Sequence, residues 1–460
     1  MRMDLSAQIH PDEKIRERDN VKGELSNRYF VFSVPLQIGS EENKVYPTID
    51  TDLNLFWVPT RYCHDNNEQD TSTNIFPCDA DGFYFPSYLS SFHNTSELFQ
   101  TWDRYGNLLN EFGGYFGTDK VQYGDYLRNM TFGIAATTLR SGKLGLGFRE
   151  YLRRYSESTL NQLSFLEQLV ENGDIKSNAF SFQLGINNAS EGTLLLGAVD
   201  HNKYEGTLQK VKMVDLYTDG SDSILILLDG YLGDGFSSEI NIPVLISTSL
   251  IRLNLPPGSL EKMCEHLGTK VFDGSSYAFV PCSLLNLTDL ISFYFSGIEI
   301  QVPVRDLIVQ HPYFGCLISI SEFDGPYHLS QDILKSAYVV VDLDNKKVAL
   351  AQATNSSNED IEDIVSEIPL ALEAPLYSYT EVAEKYYYSN GWFSSLYDVS
   401  SRPSYSTNTD SRSVDLGSTT YVLSPEVTDK YVYSTKHRNS GHFTRCLHLL
   451  FLLFSILLAL

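Results

Sequence analysis

The sequence predicts a mainly β protein made of two similar lobes. Three observations carry this. Short β-like runs separated by turn residues dominate residues 28–353, as in YFVFSVPLQIG, GTLLLGAVD, SILILLDGYLG and YVVVDLDNKKVALAQ. Helix-like segments are few; TLNQLSFLEQLVENG and GSLEKMCEHLG are the clearest. An internal repeat places Ile49-Asp50-Thr51-Asp52-Leu53 before Pro59, and Ile246-Ser247-Thr248-Ser249-Leu250 before Pro256. The Thr, the apolar flanks and the distance to Pro all match, which implies two lobes of similar fold, each carrying one such turn.

Composition bounds the function. The chain has 460 residues, 42% hydrophobic, enough for a large core and two or three domains. Its net charge is −24 with no long Lys/Arg cluster, which excludes the basic surface that nucleic-acid binding needs. The ten His are scattered and the six Cys form no CxxC pair, so no metal site is expected.

Along the chain, residues 1–27 are polar and read as a disordered segment or propeptide remnant. The first lobe spans 28–210 and the second 211–353. From Thr354 the composition shifts to Ser, Thr and Asp, and 354–438 reads as an exposed, O-glycosylated stalk. The last residues, LHLLFLLFSILLAL, are too few for an ordinary membrane span. They follow a polar patch and the small residues Asn439-Ser440-Gly441, the pattern of a glycosylphosphatidylinositol (GPI) signal over 439–460 with attachment at Asn439. The alternative is a tail-anchored or signal-like helix. A GPI tail requires secretion, yet MRMDLSAQIHPDEKIRERDN has no apolar segment, so a signal peptide missing from this sequence is expected. Five N-x-S/T sites, at Asn94, Asn129, Asn188, Asn286 and Asn355, fit a secreted glycoprotein at the plasma membrane or cell wall.

The stretch TIDTDLNLFWVP carries the chemistry. An apolar run delivers Asp50 at a sharp turn, and a second run ends in Trp57-Val58-Pro59. With WDRYGN, GGYFGTDKVQYGD, NMTFGIAATT, GKLGLGF, NAFSFQLG, GTLLLGAVDHNKYEGTL and SAYVVVDLDNKKVALAQAT in order, the chain resembles the pepsin-like aspartic proteases over roughly residues 28–375. The tail and EIPLALEAPLYSYT point to the fungal GPI-anchored yapsin branch. The resemblance implies a pepsin-like bilobal fold, a peptide-binding cleft, a monomer and no cofactor. It places Asp50 on the first catalytic aspartate, Trp57 on the pocket Trp, Tyr105 on the flap Tyr, and Thr51 and Thr248 on the threonines that lock the two turns together. It also pairs Cys63 with Cys78 and Cys282 with Cys316. Cys446 falls in the removed tail, and Cys264 is left over as a small buried apolar residue.

The family's reaction uses two carboxylates that share a proton and grip a water. Here the second position is Ser247, whose hydroxyl cannot serve as a carboxylate base and has no adjacent His to activate it. The two glycines of the turns are Asp52 and Ser249, the supporting hydroxyl residues are Leu53 and Leu250, and the family's I-L-G is His328-Leu329-Ser330. Scaffold positions survive while reactive ones do not. Three readings stand: a non-catalytic protein binding an extended peptide or surface protein in its cleft; a working endopeptidase in which Asp52 replaces the missing carboxylate; and a structural wall glycoprotein with an idle cleft. Asp52 itself is expected to be a hydrogen-bonded turn residue, because positions i and i+2 of a tight turn seldom aim at one water.

Overall fold

A computed structural model describes residues 21–28, 31–39, 43–60, 82–86, 91–99, 114–136, 141–148, 162–185, 191–214, 223–250, 252–256, 258–269, 278–311, 315–322 and 327–377, with short hairpin strands at 387–389, 392–394, 414–416 and 419–421. Residues 21–377 contain both lobes and lie in one compact unit.

Alternating apolar positions make the strands, and their pairing builds three parts. A platform of antiparallel strands joins distant segments of the chain. Ala179–Gln183 pairs with Ala337–Asp342 on one side and with Glu191–Leu196 on the other. Tyr204–Lys212 pairs with Lys347–Ala353, which pairs with Ala337–Asp342. The platform sheet continues through Val31–Ser33 into the first lobe, where Thr48–Asp50, Lys143–Gly145, Phe56–Thr60, Tyr126–Ala136 and Gly114–Tyr123 follow in spatial order. The second lobe has its own seven-stranded sheet, centred on Leu225–Gly233 and Phe236–Ile246, and a three-stranded sheet that includes Gly315–Ile318. One apolar cluster, from Phe32 to Ala374, runs through both lobes.

The lobes repeat a local device. In the first, Thr48–Asp50 lies parallel to Lys143–Gly145; in the second, the end of Phe236–Ile246 lies parallel to His328–Leu329. Each catalytic-type turn therefore leaves a central, buried strand. Both expected helices form and are shorter than their patterns. Phe165–Glu171 starts at a capping box between Ser164 and Glu167, and Glu261–His266 carries buried Cys264. Burial pushes the Cys264 thiol up to about 11, which fits its reading as a packed apolar residue.

Three boundaries differ from the expectation. Val21–Arg28 is a strand between Glu191–Leu196 and Val31–Ser33, so the polar N-terminal segment does not extend to residue 27. Backbone pairing, blind to side-chain polarity, outweighs the polar composition there. The division at 210 falls inside the strand Tyr204–Lys212, and the predicted second lobe contributes Ala337–Asp342 and Lys347–Ala353 to the platform. The stalk does not begin at 354. Ile361–Asp363 pairs with Ala198–Asp200, and Leu372–Glu373 with Gln209–Lys210. Ile364, Ile368 and Ala374 are buried there, because three spaced apolar side chains suffice to hold a polar strap on the sheet face.

Cys282 and Cys316 form a disulfide with Cα atoms 5.2 Å apart. Cys63, Cys78, Asn188, Tyr105, Asn439 and Cys446 lie outside the described residues. Asn94, Asn129, Asn286 and Asn355 are exposed.

Candidate functional site

The two repeated turns meet between the lobes through an exchange of hydrogen bonds. The Thr51 hydroxyl donates to Ile246 O at 2.6 Å, and the Thr248 hydroxyl donates to Ile49 O at 2.8 Å. Each hydroxyl oxygen accepts the other residue's backbone N–H, at 3.1 Å for Thr248 N to Thr51 Oγ1 and 3.3 Å for Thr51 N to Thr248 Oγ1. Both threonines are buried, so each hydroxyl serves as donor and acceptor where water is excluded. Gln331 backs the second turn by donating its Nε2 to Thr248 O at 2.6 Å.

Asp50 ends the buried strand Thr48–Asp50. Its Oδ1 accepts the N–H groups of Asp52 at 2.9 Å and Leu53 at 3.3 Å. Its Oδ2 lies 3.3 Å from Lys143 Nζ. Burial pushes the Asp50 carboxyl up from the usual range; the Lys143 charge opposes this, and the Asp52 charge adds to it.

Asp52 crosses between the lobes. Its Oδ2 accepts hydrogen bonds from Ser247 Oγ at 3.0 Å and Ser249 Oγ at 3.1 Å. Asp52 was expected to serve its own turn; instead its carboxylate is held by the hydroxyls of the opposite lobe. The physical reason is length: serine at 247 is shorter than an aspartate, and Asp52 is long enough to reach its hydroxyl and that of Ser249. Leu53 joins an apolar cluster with Leu55, Trp57, Phe99 and Phe116. Trp57 is buried, with its ring centroid 6.2 Å from that of Phe99.

The flap position Tyr105 lies outside the described residues, in the connection between the paired strands His93–Leu98 and Gly114–Tyr123. Lys143 and Gln331 are the site residues that sequence reasoning missed. A signal for Lys143 existed: it is a single charge inside GKLGLGF, on a strand between Thr48–Asp50 and Phe56–Thr60. His328 holds the corresponding place in the second lobe, since Lys143 lies opposite Thr48 and His328 opposite Leu245, each two residues before its turn's first position.

Two β lobes whose threonine-bearing turns lock together beneath Asp50 define the architecture of a bilobal acid protease. The profile described as eukaryotic aspartyl protease matches residues 31–353, and the chain belongs to that family. It is 28% identical over 390 residues to aspartic proteinase yapsin-3 of Saccharomyces cerevisiae, covering 79% of this chain and 74% of that protein. It is 30% identical over 325 residues to aspartic proteinase 3 of the same yeast, covering 66% of this chain and 56% of that protein. The solved aspartic proteinase from Irpex lacteus shares the fold, with a TM-score of 0.58 at 16% identity, covering 74% of this chain and 98% of that one.

Proposed function

We propose that this chain is a secreted, surface-anchored member of the aspartic protease family that keeps the cleft for an extended peptide or surface protein and does not hydrolyse it. The observation that carries the reading is Ser247 at the second dyad position, its hydroxyl donating to Asp52 rather than supplying a carboxylate. A peptide hydrolase of this family needs one carboxyl to hold a proton while the other takes one from water. Asp50 is engaged by two backbone N–H groups and Lys143, and a serine hydroxyl stays protonated at acid pH and cannot take a proton from water as a carboxylate does. Secretion is supported by the Cys282–Cys316 disulfide and the exposed glycosylation sequences. Attachment through a GPI group at Asn439 rests on the tail pattern.

A second reading is favoured by one feature. Asp52 brings a second carboxylate to the lobe-two hydroxyls, so an endopeptidase that pairs Asp50 with Asp52 is the alternative. The yapsin relatives support it. A third, an idle cleft in a wall glycoprotein, differs from the first only in ligand binding.

The test is incubation of the purified secreted chain with a mixed peptide library between about pH 3 and 6, where aspartic dyads titrate, followed by mass spectrometry. No cleavage, with saturable binding of a subset of peptides, is the expected outcome. Cleavage lost on Asp50→Asn and on Asp52→Asn establishes the second reading. No cleavage and no binding establishes the third.

A further inference from the structure

The geometry points to Lys143 as a built-in counter-ion that takes the electrostatic place of the proton shared in an aspartic dyad and opposes the protonation of Asp50. Lys143 would then be a second obstacle to acid–base chemistry, separate from the loss of the carboxylate at 247. The consequence for catalysis rests on the non-catalytic reading above; the ion pair itself does not.

Placement argues that the contact is built in. The strand Lys143–Gly145 is wedged between two neighbours, parallel to Thr48–Asp50 and antiparallel to Phe56–Thr60. Its backbone has no room to shift: a Cβ added at Gly142 would stand 2.0 Å from Trp57 O, and one at Gly145 2.3 Å from the Asn54–Leu55 peptide. The Lys143 Cα is thus set by the sheet, and Gly145 rather than Lys143 lies opposite Asp50. The long side chain spans the remaining offset to reach Oδ2 at 3.3 Å. Its side chain is 23% exposed against 4% for the carboxylate, so the pair is only weakly screened by solvent.

Charge arithmetic points the same way. The charged groups acting on Asp50 are Lys143, from the neighbouring strand, and Asp52, from its own turn. In an active pair, two facing carboxylates cannot both ionise, and the proton between them neutralises the excess charge. Here Asp50 and Asp52 also approach one another, but an ammonium on Asp50 balances one of the two charges without a proton. The N–H bonds from Asp52 and Leu53 to Oδ1 favour the same ionised state. Protonating Asp50 would forfeit the ion pair and weaken both of those bonds.

The experiment reads protonation, not hydrolysis, so its failure and that of the proposed function are distinguishable. The carboxyl carbon of Asp50 is followed by NMR against pH, assigned by Asp50→Asn, in the unaltered chain, Lys143→Gln and Lys143→Arg. Loss of the ammonium is expected to move the Asp50 midpoint to higher pH by about one to three units, the usual effect of an opposite charge at this range. The arginine variant is expected to stay near the unaltered chain. A second measurement needs no variant of Lys143: its side-chain resonances in the unaltered protein should shift at the Asp50 midpoint. An unchanged midpoint in Lys143→Gln overturns the proposal. If that variant does not fold, Lys143 resonances that ignore the Asp50 titration overturn it instead.

Discussion

Asp50 and Ser247 stand at corresponding places in two corresponding turns, and their chemistry differs by one functional group. The turn exchange between Thr51 and Thr248 binds the lobes through hydrogen bonds that do not involve the side chains at 50 and 247. The residues that differ from the family pattern are not independent. Asp52 bonds both Ser247 and Ser249, so reverting one leaves partners in the wrong place. Ser247→Asp would set a third carboxylate against Asp50 and Asp52 in a buried site, where like charges repel. This variant is expected to stay nearly inactive toward peptides at acid pH. Combined with Lys143→Ile, Asp52→Gly, Ser249→Gly and Leu250→Thr, it regains hydrolysis by about 100-fold over the single change, the low end of general acid–base contributions. A fluorogenic peptide assay with a statine-type inhibitor as control checks both; full activity in the single variant would show that the glycine positions matter little.

At the scale of elements, the strap at 354–377 is the informative case. Its sequence, rich in Asn, Ser, Asp and Glu, suggests an extended stalk, yet Ile361–Asp363 and Leu372–Glu373 add to existing strands. Ile364 and Ile368 fill an apolar surface with Val199, Leu208, Tyr338 and Val340. The Ser177 hydroxyl donates to Ile364 O at 2.7 Å, and Lys347 holds Glu367 at 2.8 Å. Ile364→Ala should cost about 2–5 kcal/mol, read from urea unfolding, because it empties a fully buried site. Ending the chain after Ala353 uncovers the same surface and should give insoluble protein, whereas ending it after Tyr377 should not. Equal stability of the two truncations would mean that the strap only rests on the platform.

For the molecule as a whole, the buried acids set the response to pH. Burial is the leading cause that raises Asp50, Asp306, Asp332 and Asp342 above the ordinary aspartate value of 3.8. A group raised in this way keeps its proton in the folded state through a window in which the unfolded chain has lost it. The folded state then binds more protons, so stability falls as pH rises from about 3.8 through the folded values. Glu367 is shifted the opposite way by Lys347, but it is exposed and screened. A net charge of −24 adds self-repulsion at neutral pH. The melting temperature is expected to be higher near pH 4.5 than near pH 7.5, by about 2–4 °C for each kcal/mol. A calorimetric scan showing the reverse would mean that the ion pairs of these acids outweigh their burial.

The sequence alone determined the β class, the repeat of the two turns, the absence of a carboxylate at 247 and the family, whose resemblance implied the Cys282–Cys316 pairing. Each of these is written in residue types at short range or in motifs whose order survives divergence. Only the tertiary structure decided that Asp52 serves the opposite lobe, that Lys143 stands on Asp50, and that the strap and the strand at Val21–Arg28 complete the platform. These depend on which strands lie side by side across about ninety residues of chain or more. Such register is set by packing and backbone hydrogen bonds, which use the same peptide groups whatever the side chains, and so leave little trace in local sequence.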